Sequence, residues 1–150
     1  MEKETLAAAW LAYVEVTGPY GENYEPALQT LFSWTGQHGV EDGQCIFVYL
    51  DDVETTPAQK CRTRVGMTVP EGTVTGGAVA LMHLPGGEYA TLREKVTDKS
   101  QYGAYWQQLN QELAAVSSLS FDGERPCFEL YHSVDEEKDI CDTSFCMPVK

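Results

Sequence analysis

Two stretches of this chain copy one another. Cys45-Ile46-Phe47-Val48-Tyr49 and Cys127-Phe128-Glu129-Leu130-Tyr131 both read Cys-x-x-x-Tyr, at an offset of 82 positions. Downstream, Val65-Gly66-Met67-Thr68-Val69 faces Phe145-Cys146-Met147-Pro148-Val149 at an offset of 80. Acidic connections, Asp51 to Lys60 and Ser133 to Asp139, separate the two segments in each copy. A chain built this way folds as two like units, because each copy must find the same partners for the same apolar positions.

The segments before each copy extend the likeness. Leu6 to Val16 is rich in Trp, Tyr and Val and reads as a strand, closed by the turn Gly18-Pro19-Tyr20-Gly21. Tyr24, Ala27, Leu28, Leu31 and Phe32 then recur at helical spacing, with Asn23 as N-cap, Pro26 in the tolerant first turn and Gly36 or Gly39 as terminator. Ahead of the second copy come strands over Val79 to Leu84 and Tyr89 to Val96, split by Pro85-Gly86-Gly87. Tyr102, Tyr105, Trp106, Leu109, Leu113 and Val116 form a second helical stripe, capped by Asp98 with Gln101. The expected fold is α+β: duplicated β-α-β-β modules with pseudo-twofold symmetry, mainly antiparallel sheet, helices on one side and a central ligand cleft. The whole chain, 1–150, is then one domain, with module one at about 1–72 and module two at about 73–150.

One residue breaks the apolar pattern. Strand positions alternate faces, so Cys127, Glu129 and Tyr131 share one side while Phe128 and Leu130 share the other. Position 129 corresponds to Phe47, so one copy carries an aromatic where the other carries a carboxylate. Two readings stand. Either the Cys-Glu-Tyr face is wet on an edge strand, or both faces are covered and Glu129 is a buried acid. A buried carboxylate takes up a proton or faces a cation, and aromatic rings around it add cation–π attraction of roughly 0.5–2 kcal/mol each.

Charge narrows the partners. Ten Lys plus Arg stand against 23 Asp plus Glu, a formal net charge of −13. So acidic a surface repels phosphate backbones and argues against direct nucleic-acid binding, while favouring cations or a basic protein surface. No apolar run approaches the length of a membrane span, and the N-terminus lacks a basic leader. Five cysteines, an odd number without a CxxC pair, fit a reduced, cytoplasmic protein. His38, His83 and His132 are scattered, and Cys141 and Cys146 alternate to opposite faces of one strand. No metal set, cofactor fingerprint, P-loop or nucleophile elbow is present, so neither metal nor cofactor is expected.

Three segments, in order, carry a family resemblance. They are Tyr49-Leu50-Asp51-Asp52-Val53-Glu54-Thr55-Thr56-Pro57-Ala58-Gln59-Lys60-Cys61-Arg62, then Gly86-Gly87-Glu88-Tyr89-Ala90, then Pro126-Cys127-Phe128-Glu129-Leu130-Tyr131. Together they resemble the GyrI-like, or AraC-type effector-binding, domain family, the drug-sensing half of multidrug-responsive regulators, which also occurs alone, in cassette-encoded proteins among others. Val53 stands where the family commonly has Pro, and no helix-turn-helix segment precedes the domain. The resemblance implies two β-α-β-β modules and a glutamate at position 129 on the floor of a ligand cavity, facing cationic drugs. It implies Tyr89 and Tyr131 as lining residues, with Phe47 as the counterpart of Glu129 and Tyr49 from the first copy. Trp10 and Trp106 join them by element position alone.

The expected function is a stand-alone binding module for amphipathic cationic small molecules, without catalysis. The alternative is an acidic protein–protein inhibitor of DNA gyrase, working through Asp51, Asp52, Glu54, Asp135, Glu136 and Glu137, or a partner of a regulator protein. Hydrolysis of DNA-alkylating natural products, seen among relatives, ranks below both.

Overall fold

A computed structural model describes residues 1–150, with eight strands and two α-helices. The fold is α+β, and every strand pairing within the two units described below is antiparallel. In chain order the strands are β1 (Glu2–Leu6), β2 (Ala9–Thr17), β3 (Cys45–Tyr49), β4 (Arg62–Val69), β5 (Ala80–Leu84), β6 (Gly87–Val96), β7 (Cys127–Asp135) and β8 (Ile140–Pro148). The helices are α1 (Glu25–Gln37) and α2 (Gln101–Ala114).

Tertiary contacts divide the chain into two compact units, Ala8–Pro85 and Met1–Ala7 with Gly86–Lys150. The first holds sheet order β3-β4-β2-β5 with α1, and the second holds β7-β8-β6-β1 with α2. The repeated core of each unit is therefore strand-helix-strand-strand, as the duplicated motifs require. Its outer strand comes from elsewhere in the chain. β5 immediately precedes β6 yet pairs with β2, and β1 immediately precedes β2 yet pairs with β6. The predicted strand over Leu6 to Val16 is for this reason two strands, broken at Ala7-Ala8, because its halves bond to strands of different units.

Register makes the repeat explicit. Phe47 lies opposite Val65 on β4, and Glu129 lies opposite Phe145 on β8. The offsets of 82 and 80 thus bring matching residues to matching places. Directly opposed residues point to one face. In the Ala8–Pro85 unit the α1-covered face carries Trp10, Ala12 and Val14 of β2, Phe47 and Tyr49 of β3, and Val65 and Val69 of β4. In the other unit the α2-covered face carries Ala90, Leu92 and Val96 of β6, Phe145 and Met147 of β8, and Cys127, Glu129 and Tyr131 of β7.

The helices form for the reasons their sequences carry. α1 buries Ala27, Leu31, Trp34 and Thr35, a stripe at 3.6-residue spacing. Phe32, expected in that stripe, is 51% exposed because Trp34 takes the inward position one turn on. Pro26 sits in the first turn as expected. The N-cap position falls to Tyr24, while Asn23 adopts φ 65°, a conformation Asn tolerates. His38 ends the helix, followed by Gly39 at φ 66° rather than Gly36. In α2, Leu109 and Leu113 are buried and Tyr102, Tyr105 and Trp106 pack against the same core. Ahead of α2, Gln101 Oε1 accepts from the backbone N–H of Thr97 at 2.7 Å and of Asp98 at 3.1 Å, the side-chain half of the expected capping box.

The Gly86-Gly87-Glu88-Tyr89-Ala90 segment owes its second glycine to a close approach. Gly87 has φ 140°, and a Cβ there would lie 2.6 Å from Arg125 Nη1. Arg125 has little freedom to retreat. Its Nε donates to Asp122 Oδ2 at 3.0 Å, and its Nη2 donates to Glu88 O at 3.1 Å and Val149 O at 2.8 Å. Gly87→Ala should therefore cost roughly 1–3 kcal/mol of stability in chemical denaturation, from backbone strain plus displacement of the guanidinium. A midpoint unchanged from wild type would contradict this.

Candidate functional site

The second unit contains the acid that the sequence singled out, and it is buried. Glu129 is 2% exposed, which removes the wet-edge reading of the Cys127-Glu129-Tyr131 face. α2 crosses that face and supplies a row of aromatics at i, i+3 and i+4. Tyr102, Tyr105 and Trp106 all pack on Phe145, the residue opposite Glu129, with ring centroids 6.1, 5.6 and 5.4 Å away.

Both carboxylate oxygens accept strong hydrogen bonds from this surround. Trp106 Nε1 donates to Oε2 at 2.7 Å, and Tyr131 OH donates to Oε1 at 2.7 Å. Tyr102 lies close enough to Tyr131 for each hydroxyl to influence the other's proton affinity. Burial, and then the charge of Glu129, push the Tyr131 hydroxyl well above the ordinary tyrosine range, so it stays protonated and able to donate. Burial likewise raises Tyr102. Hydrogen bonds to a charged partner contribute about 1.5–3 kcal/mol each, enough for two of them to offset much of the several kcal/mol that burying a carboxylate costs. Cys127, on the same face, is pushed up to about 12 by burial and is an inert thiol.

The expected site residues divide by place. Glu129, Tyr131 and Trp106 meet in one hydrogen-bonded cluster. Tyr89 lies on the opposite face of the same sheet, fully buried, with its ring 5.2 Å from Phe128 and the Arg125 guanidinium 4.8 Å above it. Phe47, Tyr49 and Trp10 belong to the Ala8–Pro85 unit, on its α1-covered face. There Phe47 meets Tyr24 edge-on at 5.4 Å, Tyr49 meets Tyr20 at 4.8 Å, and Trp10 meets His83 at 5.0 Å. Tyr102 is the member of the cluster that sequence reasoning did not single out. The signal was available, since Tyr102 precedes Trp106 by one helical turn and so shares its face.

Much of the motif content is structural. In the first motif the Asp51 carboxylate accepts from the Arg62 backbone N–H at 2.8 Å, from Nε at 3.0 Å and from Nη2 at 2.9 Å, and Arg62 holds Asp51 below the usual carboxylate range. Tyr20 OH donates to Asp51 O at 3.0 Å and accepts from Asp51 N at 2.9 Å. The Asp51–Arg62 pair is a loop clamp. No group of three or more His, Cys, Asp or Glu side chains is arranged to hold a metal, and the five cysteines are free thiols. No helix is long and apolar enough to cross a membrane.

Tyr131 has a pH signature. Its folded-state proton affinity is raised above the ordinary value of 10.0. The stability this contributes is fully present below about pH 10 and is lost as pH rises beyond it. Tyr131→Phe should flatten the alkaline fall in stability relative to wild type, measured as denaturation midpoints between about pH 9 and 11. Identical slopes for the two proteins would contradict the buried, carboxylate-bound hydroxyl.

Known proteins resemble this chain in sequence and in fold. A DNA gyrase inhibitor from Klebsiella pneumoniae (strain 342) is 28% identical over 149 residues, covering 97% of this chain and 94% of that protein. Three solved structures share the fold. The EcmrR C-terminal domain matches with TM-score 0.74 at 14% identity, over 99% of this chain and 96% of its own. A hydrolase from Listeria innocua matches with TM-score 0.67 at 15% identity, over 99% and 91%. SAV2435 bound to tetraphenylphosphonium matches with TM-score 0.62 at 16% identity, over 99% and 93%. The profile of the GyrI-like small molecule binding domain matches residues 1–150, and the chain belongs to that family.

Proposed function

We propose that this domain binds amphipathic organic cations and that Glu129, held as an anion by Trp106 and Tyr131, supplies the counter-charge. One observation carries the reading: a carboxylate 2% exposed, with a donor on each oxygen and aromatic rings on the helix above it. Two donors favour the ionised form against the desolvation that disfavours it. The domain thereby keeps a fixed negative charge in apolar surroundings, where Coulomb attraction to a cation is far less screened than in water. The tetraphenylphosphonium bound by SAV2435, a protein of the same fold, is a lipophilic cation of the kind this chemistry would hold.

Binding without turnover fits the same geometry. A general base works best when its basicity is not already reduced by hydrogen bonds to its charged form. Both oxygens of Glu129 are already engaged, which lowers its basicity. We therefore read the domain as a binder, acting in the cytoplasm through sequestration or through a partner. Nothing in the site calls for a cofactor. The names of relatives favour a second reading, a gyrase inhibitor working through its acidic surface. There the exposed Asp52, Glu54, Asp135, Glu136 and Glu137 would do the work, with Asp51 excluded by its bond to Arg62.

The two readings part on Glu129. A thermal-shift titration with an aryl trimethylammonium compound and its neutral tert-butyl isostere separates charge from shape. Glu129→Gln should weaken the cation by about 1–3 kcal/mol and leave the isostere unchanged. Equal loss for both ligands would contradict the counter-charge. No stabilisation of wild type by any cation would turn the account to the gyrase reading.

A further inference from the structure

In the Ala8–Pro85 unit the order β3-β4-β2-β5 ends in a strand bonded on one side only: β5 pairs with β2 and has no strand beyond it. An open edge offers a row of backbone donors and acceptors to any strand that reaches it. Folded proteins guard such edges with charges, proline or bulges. β1, the end strand of the other unit, follows that rule. It reads Glu2-Lys3-Glu4-Thr5-Leu6, and Lys3 pairs with Glu88 at 3.1 Å. β5 reads Ala80-Leu81-Met82-His83-Leu84, without a lysine, a carboxylate or a proline, and its register against β2 runs unbroken. Ala80 and His83 are exposed. The neutrality extends beyond the strand. Positions 72–87 form the longest run in the chain without Lys, Arg, Asp or Glu, and positions 26–40 the next longest. These runs meet at a groove of about 450 Å³ beside the start of β5, lined by Gln29, Ser33 and Trp34 of α1 and by Gly76, Ala78 and Val79. On a chain of net charge −13, so wide a neutral patch is where two copies meet with least repulsion.

We propose that β5 docks a second copy of this chain, the two β5 strands pairing antiparallel about a twofold axis at Met82. Antiparallel pairing makes an edge its own complement, as an isologous interface requires. Centred on Met82, it sets Ala80 opposite Leu84 of the second copy, Leu81 opposite His83, and Met82 opposite Met82. No two charged side chains are opposed, an arrangement that would cost stability across a strand pair. The same pairing at β1, centred on Glu4, would set Glu4 against Glu4. Main-chain hydrogen bonds between the edges supply the attraction, as in other strand additions. The uncharged α1 groove and the loop before β5, whose Val74 is 82% exposed, flank the joined strands and contribute the further area that one short strand pair lacks.

The test is analytical ultracentrifugation of the whole chain over about 5–200 μM, a range that brackets the affinity of a small interface. Wild type should pass from mostly monomer to mostly dimer across it. His83→Glu and His83→Lys each set like charges diagonally across the twofold, roughly 7–8 Å apart, and each should weaken self-association at least about fivefold. An equimolar mixture of the two variants should regain the dimer, because opposite charges then face each other across the axis. That recovery is specific to a strand paired with its own copy. Ala80→Lys, at an exposed position of the same edge, should also weaken the dimer and stands in if either His83 variant lowers the thermal midpoint. Wild type that stays monomeric at the highest concentration would overturn the proposal. So would a dimer that all three variants leave intact, or a mixture of His83 variants that stays as monomeric as its components.

Discussion

The interior of the second unit depends on one compromise: an acid side chain is kept out of water by two hydrogen bonds, one to each oxygen. Glu129 would be an expensive residue in an ordinary strand. It is tolerated because Trp106 reaches down from α2 and Tyr131 reaches along β7, each giving it a proton to accept. Phe145, opposite Glu129 in the ladder, provides the apolar floor on which Tyr102, Tyr105 and Trp106 rest. The position of α2 and the burial of Glu129 are thus parts of one arrangement.

Duplication explains how one unit came to carry chemistry and the other did not. Phe47 and Glu129 hold the same register position, and each lies under a helix. The first copy fills that position with a ring, packed edge-on against Tyr24. Tyr24 OH instead hydrogen-bonds Thr63, closing the helix end onto β4. The same scaffold therefore builds an aromatic contact in one unit and a hydrogen-bonded acid cluster in the other. Family membership rests on the whole chain, while the functional reading rests on this single difference between copies.

Sequence periodicity exposed most of the architecture. Offsets of 82 and 80 foretold the matched registers, and strand alternation put Cys127, Glu129 and Tyr131 on one face. What alternation could not decide was whether that face was wet, because a strand does not reveal which side a distant helix will cover. The aromatic stripe of α2 was legible, yet its partner was not. Strand exchange also escaped the reading. Leu6 to Val16 looks continuous, and nothing local shows that β1 bonds to β6 while β2 bonds to β4 and β5. Tyr89 matches a family position and packs between Phe128 and Arg125, on the face away from Glu129. The Asp51–Arg62 and Gly87–Arg125 contacts show that a recurring motif can mark a turn that must close, as readily as a ligand.

The claim most open to direct test is that Glu129 is an anion in the empty protein. Isotope-edited infrared difference spectroscopy at neutral pH, comparing unliganded wild type with Glu129→Gln, reads its protonation state directly. The account predicts a carboxylate antisymmetric-stretch band that the variant lacks, shifted by its two hydrogen bonds and unchanged in character when a quaternary ammonium ion is added. A carboxylic-acid carbonyl band in its place would contradict it. Glu129 would then be a neutral hydrogen-bonding residue of the core, and the site would have no charge waiting for a cation.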